Sequence, residues 1–98
     1  MIKPVPLKIE DRKAQRKLVD LPATINGNEA RAVDVSEDGV QLKARTYLEP
    51  GAVISVDLFV PEIISFKGIV RHVNEKSLGV QTVEISTIDR LRLRQISV

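Results

Sequence analysis

Along most of this chain apolar and polar residues alternate one for one. Val19, Leu21, Ala23 and Ile25 stand between Leu18, Asp20, Pro22 and Thr24. A period of two sends one set inward and the other to solvent, so the segment predicts a first strand. Pro22 within it marks an edge or a bulge, where its missing N–H is not needed. Asn26-Gly27-Asn28 then predicts a tight hairpin, because Asn and Gly accept the positive φ such turns demand. A second strand follows over about Glu29–Val35 and a third over about Val40–Arg45. Glu49-Pro50-Gly51 predicts another turn. The fourth strand covers about Val53–Val60, with Ile54, Val56, Leu58 and Val60 on one face, and Pro61 ends it. The fifth, about Ser65–Val73, places Phe66, Gly68, Val70 and His72 on its apolar face. Asn74-Glu75-Lys76 turns back into a sixth, Leu78–Ile85.

After Ile85 the period changes. Ser86-Thr87-Ile88-Asp89 has the character of a capping box, with an acidic residue three after the serine. Ile88, Leu91 and Gln95, with Leu93 and Ile96 nearby, predict a helix of roughly ten residues, about 15 Å long. Six antiparallel strands at this spacing close or nearly close a small barrel, which removes exposed edges. One helix would cover an open end. The expectation is a mainly all-β fold, a six-stranded antiparallel β-barrel with one C-terminal α-helix, without repeats or low-complexity segments.

Composition narrows the picture. A chain of 98 residues makes one domain with a modest core. Its 43% hydrophobic and only 3% aromatic content leaves Val, Ile and Leu to fill that core. There is no cysteine, hence no disulfide, no thiolate metal site and no Cys nucleophile. No apolar run reaches the length of a membrane span, and the start lacks a signal-peptide core. The reading is a soluble cytoplasmic domain with no membrane insertion.

The net charge of +2 hides an uneven distribution. Residues 1–17 carry six basic and two acidic side chains, net +4, and residues 18–86 carry six and ten, net −4. The last twelve residues return to net +2. A basic arm on a near-neutral body suits a small anion better than a long nucleic acid, which favours a broad basic face. Tyr47, Phe59 and Phe66 are the only aromatic residues. That also argues against a barrel that stacks single-stranded nucleic acid.

Two polar clusters carry the candidate chemistry. Met1-Ile2-Lys3-Pro4-Val5-Pro6-Leu7 holds two prolines and reads as an extended lead-in. Glu10–Lys17 is too polar for a helix face, and within it Arg12 and Arg16 lie four apart. Arginine suits bidentate recognition of phosphate and of the O6/N7 edge of guanine. The second cluster, Asp34-Val35-Ser36-Glu37-Asp38-Gly39, connects the second and third strands. Asp34 and Ser36 can accept from nearby backbone N–H groups there, and Gly39 supplies backbone free to take positive φ. Read alone, the cluster is a hairpin turn. Its neighbouring carboxylates Glu37 and Asp38 lack the further ligands a metal site needs. Ser36 has no histidine placed to activate it, and His72, the one histidine, reads as a structural residue on an apolar face. No catalytic residue and no metal ligand emerges, so an enzyme is not expected.

Together, R-x-x-x-R at Arg12 and Arg16 and D-x-S-x-x-G at Asp34, Ser36 and Gly39, in this order on six predicted strands, resemble the PilZ domain family. Gly68-Ile69-Val70, Leu78-Gly79-Val80 and the terminal helix add to the resemblance, which covers about residues 10–97. It implies an extended arm over residues 1–9, a PilZ-like barrel domain over 10–98, and binding of the bacterial second messenger cyclic di-GMP. Carried over by position, Arg12 and Arg16 would hold phosphates and guanine edges, while Asp34, Ser36 and Gly39 would form the opposing wall. The chain departs from the family in Asp11, an acid beside the first motif arginine, and in His72 and Thr82, where the family often has aromatic residues. The resemblance implies no cofactor beyond that ligand. It implies a signalling module acting on a protein target that the sequence does not identify, with a homodimer among the states left open. The alternative is a PilZ-like interaction adaptor that binds no nucleotide. Two further expectations attach to the ligand: guanine is preferred over adenine, and the segment from Glu10 to Lys17 closes over it.

Overall fold

A computed structural model describes residues 16–97 of the chain. The elements are β1 (Lys17–Ile25), β2 (Asn28–Ser36), β3 (Gly39–Ala44), β4 (Val53–Phe59), β5 (Ile63–Val73), β6 (Ser77–Ile85) and α1 (Thr87–Ile96). All strand pairs are antiparallel, and the order β1-β2-β3-β6-β5-β4 closes on itself as a barrel. This is the expected architecture: six strands, mainly β, with one terminal helix. No helix among the described residues is long and apolar enough to cross a membrane.

The turns form for the reasons their residues suggest. Asn26 and Gly27 take φ of 51° and 86°, and Ile25 pairs with Asn28 across them. Positive φ at both central positions matches the strand twist. Asn26 also ties the turn to β4, donating its N–H to the Ser55 carbonyl at 2.8 Å and accepting the Ser55 N–H on Oδ1 at 2.9 Å. At Glu49–Ala52 the Ala52 N–H reaches the Glu49 carbonyl, with Pro50 and then Gly51 at φ 95° between them. That is the order a type II turn needs. Pro22 lies one residue beyond the β1–β4 ladder, which runs from Ala23 to Ile25. It also follows the irregularity between Leu18 and Leu21.

Inward positions fill the barrel with aliphatic side chains: Ile25, Val35, Val40, Leu42, Val56, Leu58, Ile64 and Val70 are all fully buried. Leu93 of α1 is equally buried and closes one end. The helix starts where Ser86 Oγ accepts the Asp89 N–H at 3.1 Å. Two ion pairs fix it to the turns at that end, Arg94 to Glu37 at 2.8 Å and Arg92 to Glu62 at 3.2 Å.

The helix face differs from the expected one. Ile88 and Leu91 are exposed at 61% and 49%, and Gln95 is exposed too. Leu93 and Ile96 face the barrel instead. Charges on both faces left the apolar stripe ambiguous; burial of Leu93 and Ile96 against the barrel selects the other rotation, and the two exposed ion pairs accompany it. Strand limits shift slightly: β4 ends at Phe59, and β5 starts at Ile63, two residues earlier than expected.

Candidate functional site

The D-x-S-x-x-G cluster closes the β2–β3 hairpin. Ser36 pairs with Gly39, leaving Glu37 and Asp38 as the turn. The Ser36 side chain is buried, its Oγ accepting from the Asp38 N–H at 3.2 Å and donating to the Gly39 carbonyl at 3.3 Å. The serine therefore shapes the turn from inside. The Asp38 carbonyl in turn accepts the Thr82 N–H at 2.8 Å, which fastens the turn to β6.

Gly39 serves close approach rather than unusual backbone. Among the described residues only Asn26, Gly27 and Gly51 take positive φ, so the expectation of positive φ at Gly39 is corrected. Val40 points into the core, so Gly39 takes the outer side of the alternation, opposite Gln81, yet is itself buried against β6. A Cβ here would fall on the Val80 carbonyl oxygen.

Asp34 lies on the same outer face, half-buried, and meets the upstream cluster. Arg16 Nε donates to Asp34 Oδ1 at 2.9 Å, with the two side chains 47% and 24% exposed. The structure thus brings together Arg16, Asp34, Ser36 and Gly39, which the sequence separates by up to 23 positions. Arg12 and the expected arm over residues 1–9 lie outside the described residues.

Arg16 and Gly39 also border a surface depression of about 420 Å³ on the outer face of β3, β6 and β5. Ligand pockets commonly fall between about 300 and 1,000 Å³. Its walls include residues the sequence reading missed. Arg71 Nε donates to Gln81 Oε1 at 2.6 Å, and His72 lies across Gly79 so closely that a Cβ on the glycine would strike the imidazole. His72 was expected on the apolar face of its strand. It is exposed because the β5–β6 register shifts between Val70 and His72, a bulge that turns Arg71 and His72 outward together. Strict alternation has no means of anticipating an inserted residue. The one available signal was Gly79, which leaves β6 bare where a neighbouring ring would need room.

Chemically, the surface offers two arginines, an imidazole, two glutamine amides and the Asp38 carboxylate, with Gly39 and Gly79 adding no side chains of their own. That combination suits a planar, anionic, hydrogen-bonding molecule. Among the described residues no group of three or more His, Cys, Asp or Glu side chains is placed to hold a metal ion.

A family model described as PilZ domain matches residues 10–97. Among solved structures, the inhibitor of motility MotI/DgrA of Bacillus subtilis superposes with a TM-score of 0.81 at 18% identity. The match covers 91% of this chain and 50% of that one, so this chain spans half the length of the Bacillus protein. The Legionella uncharacterized protein Lpg0364 superposes with a TM-score of 0.59 at 13% identity, covering 83% of this chain and 87% of that one. At these identities both show a shared fold. Among curated proteins no sequence relative matches.

Proposed function

The chain belongs to the PilZ domain family, and from that membership we propose that it is a bacterial cytoplasmic receptor module for cyclic di-GMP that regulates a protein partner. The observation that carries the reading is the Arg16–Asp34 contact at 2.9 Å. It joins the two polar clusters beside the depression that Arg16 and Gly39 border. The ligand is a dianion with two guanines. An arginine fork matches both its phosphates and the O6/N7 edge of a base, and a carboxylate accepts from the guanine N1–H and N2–H₂. Arg12 and Arg16 would take the phosphates and one guanine edge, Asp34 the donor edge. Gly39 would admit the base close to backbone, and Ser36 would act through the shape of the turn. The Bacillus neighbour is named for inhibiting motility, which favours an output through another protein rather than chemistry on the ligand.

A second reading is an adaptor that binds no nucleotide, and Ser36 and Gly39 favour it. The hairpin itself requires both, the serine for its two internal hydrogen bonds and the glycine for the Val80 contact. Isothermal calorimetry with cyclic di-GMP and cyclic di-AMP separates the readings. The receptor reading expects saturable binding of the guanine ligand and much weaker binding of the adenine one, whose N6 donor mismatches the arginine fork. Equal affinity reduces the site to phosphate attraction, and no binding of either leaves the adaptor. Amide exchange tests the closing movement, which predicts ligand-dependent protection over residues 12–16, since Lys17 already pairs with Val35 at the start of β1.

A further inference from the structure

Between residues 18 and 86 the chain is acidic and has six Lys and Arg side chains. Four of them, Arg31, Lys43, Arg45 and Lys76, line a single open groove of about 1030 Å³. It is built from the start of β2, the end of β3 and the β5–β6 turn. The helix is tied to the β2–β3 and β4–β5 turns, so in an antiparallel barrel this groove lies toward the opposite end. It is separate from the depression bordered by Arg16 and Gly39, with which it shares no lining residue.

Arg31 is neutralised locally by its ion pair with Asp20. Lys43, Arg45 and Lys76 form no ion pair among the described residues, which leaves their charge available to a partner. The groove continues into a smaller depression that shares Ala44, Arg45, Thr46 and Glu75 with it and adds Tyr47. Tyr47 is 73% exposed, a large ring with little of its own structure to cover it. Tyrosine and arginine side by side are the residue types that anchor protein interfaces.

We propose that this groove is the docking surface for the module's protein partner, and that it takes an acidic segment with an apolar side chain packed on Tyr47. The proposal rests on the reading that the module acts through a protein, but not on nucleotide binding. Two features favour an acidic peptide over a nucleic acid. Glu29 and Glu75 stand among the cations, which interrupts the regular spacing a phosphate backbone repeats, whereas a peptide can space its carboxylates to fall beside the lysines and arginine only. Tyr47 is also the sole aromatic there, too few for a stacking platform.

The test is an amide NMR titration of the whole chain with a short capped Glu-rich peptide containing two leucines, and in parallel with a single-stranded oligonucleotide of equal charge. Peptide-induced shifts should centre on residues 28–31, 43–47 and 75–76. Lys43→Glu combined with Arg45→Glu should weaken peptide binding at least about tenfold, a loss of about 1.4 kcal/mol. Lys8→Glu combined with Lys13→Glu, in the basic arm, should leave it unchanged. The groove variant should keep the wild-type spectrum elsewhere and the wild-type response to cyclic di-GMP. Absence of peptide binding overturns the proposal, as do shifts centred on the Arg16–Gly39 face, loss of binding in the arm variant alone, or tighter binding of the oligonucleotide in the groove. Failure of the receptor reading looks different: cyclic di-GMP would not bind, while the peptide result would stand.

Discussion

Gly39 and the carbonyl oxygen of Val80 face each other across β3 and β6 with no room for a side chain between them. The obstacle is backbone in the middle of a closed barrel, so it does not swing aside. Gly39→Ala should cost about 1–3 kcal/mol, the usual range for an overpacked interior, seen as a lower denaturation midpoint. Gly27→Ala makes a useful contrast, since nothing lies within 4 Å of its added Cβ and its φ is +86°. Its loss of about 1–2 kcal/mol would come from backbone conformation alone.

Gly79→Ala should behave differently from both. The atoms in its way are the far edge of the exposed His72 imidazole, a side chain free to rotate. Stability should change by no more than about 0.5 kcal/mol, whereas the wall beside Arg71 and Gln81 would move. The expected signature is an unchanged thermal midpoint with weaker cyclic di-GMP binding. A large stability loss would mean that His72 is part of the barrel's packing.

The helix offers a comparison of two kinds of attachment. Leu93 is fully buried in the end of the barrel, so Leu93→Ala should cost about 2–5 kcal/mol. The Arg94–Glu37 pair is exposed at 53% and 30%, and a double-mutant cycle across it should give about 0.2–1 kcal/mol. Chemical denaturation of the four variants measures both.

Asp20 and Arg31 form an exposed ion pair whose hydrogen bond, and then whose charge, holds the Asp20 carboxyl below its ordinary value and the guanidinium above its own. A lowered carboxyl pKa stabilises the fold at pH values above the unfolded value of about 3.9. That contribution disappears as acid titrates Asp20 through its lower folded value. Neutral and alkaline pH leave it intact. NMR titration of the side-chain carboxyl should find Asp20 below the usual range in the wild type and back within it in Arg31→Gln.

Much of the fold was legible because its signals are local. Asn26-Gly27 and Glu49-Pro50-Gly51 state their turns outright, and β4 alternates without interruption from Ile54 to Leu58. His72 and the helix face were not legible, for a shared reason. A bulge between Val70 and His72 changes facing by one residue, and the rotation of α1 is set by the packing of Leu93 and Ile96 on strands far away in sequence. In the site, the meeting of Arg16 with Asp34 follows from the order of motifs on paired strands. Arg71 and Gln81 carry no motif. They become visible only once β5 and β6 lie side by side.

The central claim is that Arg16 and the Asp34–Gly39 turn form a binding site for cyclic di-GMP, and Arg16→Ala tests it most directly. Arg16 is exposed and stands before the first strand, so its removal should leave the barrel's thermal midpoint nearly unchanged. A charge-assisted contact is worth about 1.5–3 kcal/mol, so calorimetric titration should show affinity falling at least about tenfold against the wild type. A wild-type chain that takes up no cyclic di-GMP, or a variant that binds as tightly as wild type, would contradict the account.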